Sequence, residues 1–214
     1  MKNGITELVF ILDRSGSMHG LEKDTIGGFN SMLEEQRRKD GRALVTTVLF
    51  NSDYEILHDR LALEKVPAMT EDDYRVGSCT ALLDAVGRTV EHISEIHRYA
   101  RLEDVPENTL FVITTDGLEN ASRNYSADRV RKMIEDKKKE FGWEFLFLGA
   151  NIDAVGTASR IGISEDRAVK FCCDEAGTAL SYKAVSNAIC GLREKKGISR
   201  AWKTDIEADF EKRG

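Results

Sequence analysis

The chain has 214 residues, 41% hydrophobic and 32% charged, a balance that supports one sizeable soluble core and excludes a disordered chain. Its net charge of −6 argues against a nucleic-acid partner, because phosphate binding needs a basic face. No apolar run approaches the length that spans a bilayer, and Leu8–Leu12 is too short for a signal peptide and runs into Asp13, so a cytoplasmic protein without a membrane partner is expected.

Strand-like and helix-like segments alternate along the chain. Ile5 to Leu12 reads as a buried strand, and Leu21 to Arg38 as a helix with Ile26, Phe29, Met32 and Leu33 on one side. The β-branched stretch that follows, broken by Asn51-Ser52-Asp53, predicts a hairpin of strands over Ala43–Phe50 and Glu55–Leu61. Beyond the loop with Pro67, apolar residues recur at helical spacing from Leu82 to Ile96. Thr109 begins a second continuous apolar strand, and Ser126 is an N-cap for a helix over Ala127–Glu140. Trp143–Ala150 is another buried strand, followed by a short helix around Asp153–Ile161, the short strand Ala168–Phe171, and a helix over Glu175–Arg193.

This alternation predicts a doubly wound α/β fold: six strands, mostly parallel, with one antiparallel edge strand and helices on both faces. Residues 1–194 form the expected domain, and 195–214 a tail with a short amphipathic helix. Trp202, Ile206 and Phe210 recur every four residues in that tail, which suits packing onto the domain or self-association. The four cysteines (Cys79, Cys172, Cys173 and Cys190) match no structural zinc spacing and read as reduced, mostly buried thiols.

The two most apolar strands, starting at Ile5 and Thr109, are expected to be central and adjacent, and both end in polar residues. Ligands in open parallel sheets bind at that carboxyl edge. Asp13, Ser15 and Ser17 follow the first strand, with Gly16 letting the loop curl so that both hydroxyls face one point. Thr80 opens the helix after Gly77 and Ser78, and Asp116 follows the second central strand. Two carboxylates and three hydroxyls suit Mg²⁺ or Mn²⁺; calcium cages usually carry more carboxylates. So few charged ligands leave a cation electrophilic towards an incoming carboxylate. An EF-hand is excluded, because Met18 stands where its glycine is required.

Together, Asp13-x-Ser15-x-Ser17, Thr80 and Asp116 resemble the metal-ion-dependent adhesion site of von Willebrand factor A domains. The resemblance covers residues 4 to 194 and implies a Rossmann-like fold with the antiparallel edge strand. It implies that Ser15, Ser17 and Thr80 coordinate the ion directly or through water, while Asp13 and Asp116 act largely through bound water and by holding the hydroxyls. A partner's glutamate or aspartate would complete the shell, with His19, Ser78, Cys79 and Gly117 on the contact rim. In switching members of that family the last helix moves on ligand engagement. The expected function is a non-enzymatic, metal-dependent protein-binding module of a stand-alone bacterial or phage type, an intracellular adaptor or assembly factor.

Three other readings compete, one of them a purely structural or self-assembling protein that uses the 198–214 tail. The hydroxyls could simply cap helices. Alternatively, Leu8–Met18 resembles the first motif of haloacid-dehalogenase-type phosphatases, with Asp13 as nucleophile and Thr114 or Thr115 binding phosphate. That reading leaves Thr80 without a role and lacks the second acid, since Ser15 occupies its place. Finally, Asp84, one turn after Thr80, is either at the site's edge or a local hydrogen-bonding residue, and the four histidines form no ligand spacing.

Overall fold

Each central strand is apolar on both faces because each face has its own helical layer to pack against. In β1 (Ile5–Asp13) all nine residues are buried. Leu8, Phe10 and Leu12 enter one core, and Val9 and Ile11 enter the other, as the two-residue period of a strand requires. β4 (Asn108–Thr115) and β5 (Glu144–Ala150) divide in the same way. The structure, a computed structural model, describes residues 4–213; residues 1–3 and 214, the ends of the two expected segments, lie outside it.

The remaining strands are β2 (Arg42–Phe50), β3 (Tyr54–Ala62) and β6 (Ala168–Phe171). Sheet order is β3-β2-β1-β4-β5-β6, with every pairing parallel except β2 with β3. The chain leaves β1 towards β2 and later returns to its other side as β4, so strand order reverses between β1 and β4. That switch point opens a crevice at their carboxyl ends.

The helices are α1 (Glu22–Arg37), α2 (Leu82–Tyr99), α3 (Ala127–Phe141), α4 (Ala154–Arg160), α5 (Glu175–Arg193) and α6 (Thr204–Arg213). One core joins α1, α5 and α6 to the sheet, and the other joins α2, α3 and α4. Ser126 caps α3 through the Arg129 amide, as its position predicts. Gly28 lets α1 lie against α5, for a Cβ there would stand 2.3 Å from the Tyr182 ring.

Three features differ from the sequence reading or add to it. All four cysteines are free, but each is half-buried rather than buried; Cys172 and Cys173 lie just past β6, where the chain leaves the sheet. In the tail, Trp202 and Ile206 are buried in the domain's own core, and the Trp202 indole donates to the Asp166 carbonyl at 2.9 Å. Phe210 remains half-exposed under the Lys170 ammonium, so two of the three stripe residues are already covered by the domain. The third is buried Glu7 on β1, which bonds Arg60 at 2.5 Å and His97.

Candidate metal centre

Asp13 ends β1 in the crevice and is only 2% exposed. One carboxylate oxygen accepts the Ser15 amide at 2.7 Å, an Asx turn that reverses the chain immediately after the strand. The other accepts the Thr115 hydroxyl of β4 at 2.5 Å. The Tyr74 hydroxyl donates to the Asp13 carbonyl. Asp13 therefore braces β1, the following loop and β4 together. Burial pushes its pKa up to about 6, against the hydrogen bonds from Thr115 and Ser15 that favour the anion, and nearby Asp116 adds to the rise.

Beyond the turn, Ser15 Oγ lies 3.1 Å from Ser17 Oγ, and Ser17 donates to Asp116 Oδ1 at 2.5 Å. Asp116 follows β4, is 3% exposed, and has its pKa raised by burial. Its second oxygen faces the Cys173 thiol at 3.9 Å. The third hydroxyl arrives on a separate segment. The Gly77 amide bonds the Arg14 carbonyl at 2.7 Å and the Ala81 amide bonds the Asn51 carbonyl at 2.8 Å, seating residues 77–81 beside the first loop. Asn120 then holds Thr80 from both sides: its side chain accepts the Thr80 amide and its own amide donates to the Thr80 carbonyl, both at 3.0 Å.

The convergence is measured at Gly117. A Cβ placed there would stand 2.6 Å from Thr80 Oγ1, 3.1 Å from Ser17 Oγ and 3.3 Å from Ser15 Oγ. Three hydroxyl oxygens from two loops thus surround one small volume that only a glycine at 117 leaves open. Asp13, Ser15, Thr80 and Asp116 are buried while Ser17 is exposed, so the cluster opens to solvent on one side. All five residues expected at the site meet there. Oxygen donors with only two carboxylates fit a small hard cation; no cluster of three or more acidic, histidine or cysteine side chains suited to a metal exists among the described residues.

Of the residues expected on the rim, Ser78 and His19 are exposed, His19 with its ring on Glu22 at the start of α1, and Cys79 and Gly117 are half-buried; Leu118, next to Gly117, is 68% exposed. Asp84 is not at the cluster. Its carboxylate accepts the amides of Arg123, Asn124 and Tyr125 at 2.9–3.0 Å and so clasps the loop that supports Asn120. Glu119 works with it, accepting the Leu83 amide at the start of α2. Sequence reasoning misses Tyr74, Asn120 and Leu118 as parts of the site, and names Thr115 only in the phosphatase reading. Thr115 instead donates to Asp13 and so serves to hold it.

No known protein-family sequence profile matches the chain, and no curated protein is similar to it in sequence. Solved structures do match in fold. Proximal thread matrix protein 1 from the mussel byssus is 15% identical with a TM-score of 0.57, covering 87% of this chain and 46% of its own. The same protein has also been solved with a zinc-occupied metal-ion-dependent adhesion site. A von Willebrand factor type A protein from Catenulispora acidiphila is 16% identical at a TM-score of 0.55, over 87% of this chain and 42% of that one. The ArnB paralog VWA2 from Sulfolobus acidocaldarius is 14% identical at 0.53, over 88% and 45%. The chain spans less than half the length of each of these structures. Sheet order, the single antiparallel edge strand and these likenesses together show that this chain has the von Willebrand factor A-domain fold.

Proposed function

We propose that the chain is a non-enzymatic module that binds a partner protein through a divalent cation, Mg²⁺ or Mn²⁺, held by Asp13, Ser15, Ser17, Thr80 and Asp116. The convergence of three hydroxyls on the space beside Gly117 carries this reading. Ser15, Ser17 and Thr80 supply neutral oxygens, Asp116 orients Ser17, and Asp13 sets the loop by accepting from Ser15 and Thr115. When bound, the cation supplies an electrophilic position that a partner's glutamate or aspartate can fill. Exposed Leu118 and Ser78 border that opening and suit a protein surface. The zinc held at the corresponding motif of the mussel protein supports divalent binding at such a site. An intracellular adaptor or assembly role fits these properties, and among the described residues no helix is long and apolar enough to cross a membrane.

The phosphatase alternative asks Asp13 to attack a substrate. Both Asp13 carboxylate oxygens are instead engaged by hydrogen bonds, and the residue is 2% exposed. The test is calorimetric titration of chelator-treated protein with Mg²⁺ and Mn²⁺, beside an assay with p-nitrophenyl phosphate. One cation per chain, lost in Ser15→Ala and Asp116→Ala, with no turnover, is expected. Turnover abolished by Asp13→Asn would overturn the proposal.

A further inference from the structure

Three hydroxyls lie on the buried face of α5. Thr178, Ser181 and Tyr182 follow the i, i+3, i+4 spacing that places side chains on one side of a helix, and they are 5%, 3% and 8% exposed. Val185, Ile189 and Leu192 continue that face with apolar side chains in the core shared with α1 and α6. The face is therefore polar in the first half of α5, which starts beside Cys173 and Asp116, and apolar in the second.

These hydroxyls do not meet protein partners. Thr178 Oγ1, Ser181 Oγ and Tyr182 Oη are buried, and among the described residues none of the three has a hydrogen-bond partner. Buried hydroxyls are nearly always paired, because an unpaired one forfeits its hydration. Threonine and serine can turn back to a carbonyl one turn earlier in their own helix. The Tyr182 hydroxyl, at the far end of a rigid ring, cannot, so its partner must lie across the interface.

All three residues line one pocket of about 20 Å³ between α5 and the sheet. Val112, Leu148 and Phe171, from β4, β5 and β6, form its apolar walls. Met18, next to Ser17, and Thr114, two residues before Asp116, line it as well, so the pocket backs onto the metal centre. A water molecule needs about 10–15 Å³ and two to four polar partners. The pocket has room for one, and nothing larger fits.

We infer that this pocket binds a single water molecule, held by Tyr182, Ser181 and Thr178, as a permanent part of the fold. Each hydroxyl both donates and accepts, so together they satisfy the water in either sense. The water fastens the first half of α5 to its neighbours by hydrogen bonds, whereas apolar packing fastens the second half. Its binding does not depend on the cation.

The test is a high-resolution crystal structure of the full chain, beside urea unfolding of Tyr182→Phe and of the double variant Tyr182→Phe, Thr178→Val. Both changes keep the shape of the side chain while removing its hydroxyl, and the phenyl ring retains the contact with Gly28. One peak of water density is expected within hydrogen-bond distance of Tyr182 Oη and of at least one of the other two hydroxyls, and the double variant should lose it. Tyr182→Phe should raise the unfolding equilibrium constant about fivefold, because the water loses a partner. Four results would overturn the inference: a pocket without density, Tyr182 paired to a protein group, density unchanged in the double variant, or a Tyr182→Phe protein as stable as wild type or more so. A gain in stability is what a dry pocket predicts, since the change then removes an unpaired hydroxyl.

Discussion

Gly117→Ala places one methyl group where the three hydroxyls meet. Its Cβ would lie 2.6 Å from Thr80 Oγ1, closer than real Cβ atoms come to a neighbour, and 3.1 and 3.3 Å from Ser17 and Ser15. Thr80 cannot easily retreat, because Asn120 holds its amide and carbonyl at 3.0 Å. Ser17 is exposed and can yield. Over-packing of this kind costs about 1–3 kcal/mol, with relief through Ser17 favouring the lower end. Metal binding should suffer far more, since the methyl fills the space the ligands surround: at least a hundredfold loss, equivalent to about 2.7 kcal/mol. Calorimetric titration with Mn²⁺ measures the affinity, and urea unfolding of chelator-treated protein measures stability. Gly27→Ala, in α1 with nothing within 4 Å of the added Cβ, is the control and should bind metal normally while gaining up to about 1 kcal/mol. Wild-type Mn²⁺ affinity in Gly117→Ala would refute the assignment of the metal to that space.

Three further outcomes follow from the same geometry. Asp13 is raised from 3.8 to about 6, so the folded state holds its proton more tightly than the unfolded state, and metal-free protein should lose stability as pH rises from about 4 through 6. That difference corresponds to about 3 kcal/mol; urea titrations at pH 4.5 and 7.5 should show a steeper slope in wild type than in Asp13→Asn, where Asp116, also raised by burial, still titrates, while metal affinity in wild type falls below pH 6 as protons compete. Asp84→Ala removes a carboxylate that accepts three backbone amides, and should cost about 2–4 kcal/mol and weaken Mn²⁺ binding by loosening the Asn120 loop; an unchanged urea midpoint would count against the clasp. Ile206→Ala, in a residue 1% exposed, should cost about 2–4 kcal/mol, whereas Phe210→Ala should cost less than half as much by the same measurement.

Much of the fold was legible because its central strands are apolar on both faces. Continuous runs such as Leu8–Leu12 identify buried parallel strands, and the Asn51-Ser52-Asp53 turn identifies the one antiparallel pair, β2 with β3. The elements came out within a few residues: α5 matches Glu175–Arg193, while α2 runs three residues past Ile96 to Tyr99. Polar strand ends likewise pointed to one sheet edge, because residues after β1 and β4 must share it once those strands are neighbours.

What the sequence alone determined is the local chemistry: which segments are strands or helices, and that Asp13, Ser15, Ser17, Thr80 and Asp116 carry the right oxygens. Tertiary structure decided how those oxygens divide their work. Local sequence cannot show that Thr115, 102 residues away, occupies one Asp13 oxygen, or that Asn120 pins Thr80, because those hydrogen bonds exist only once β1, β4 and the α2 loop are packed together. It also cannot show that Trp202 and Ile206 turn inward while Leu102 and Phe141 are left on the surface. Periodicity reports that a helix has an apolar face; only the packed arrangement of the other elements settles what covers it.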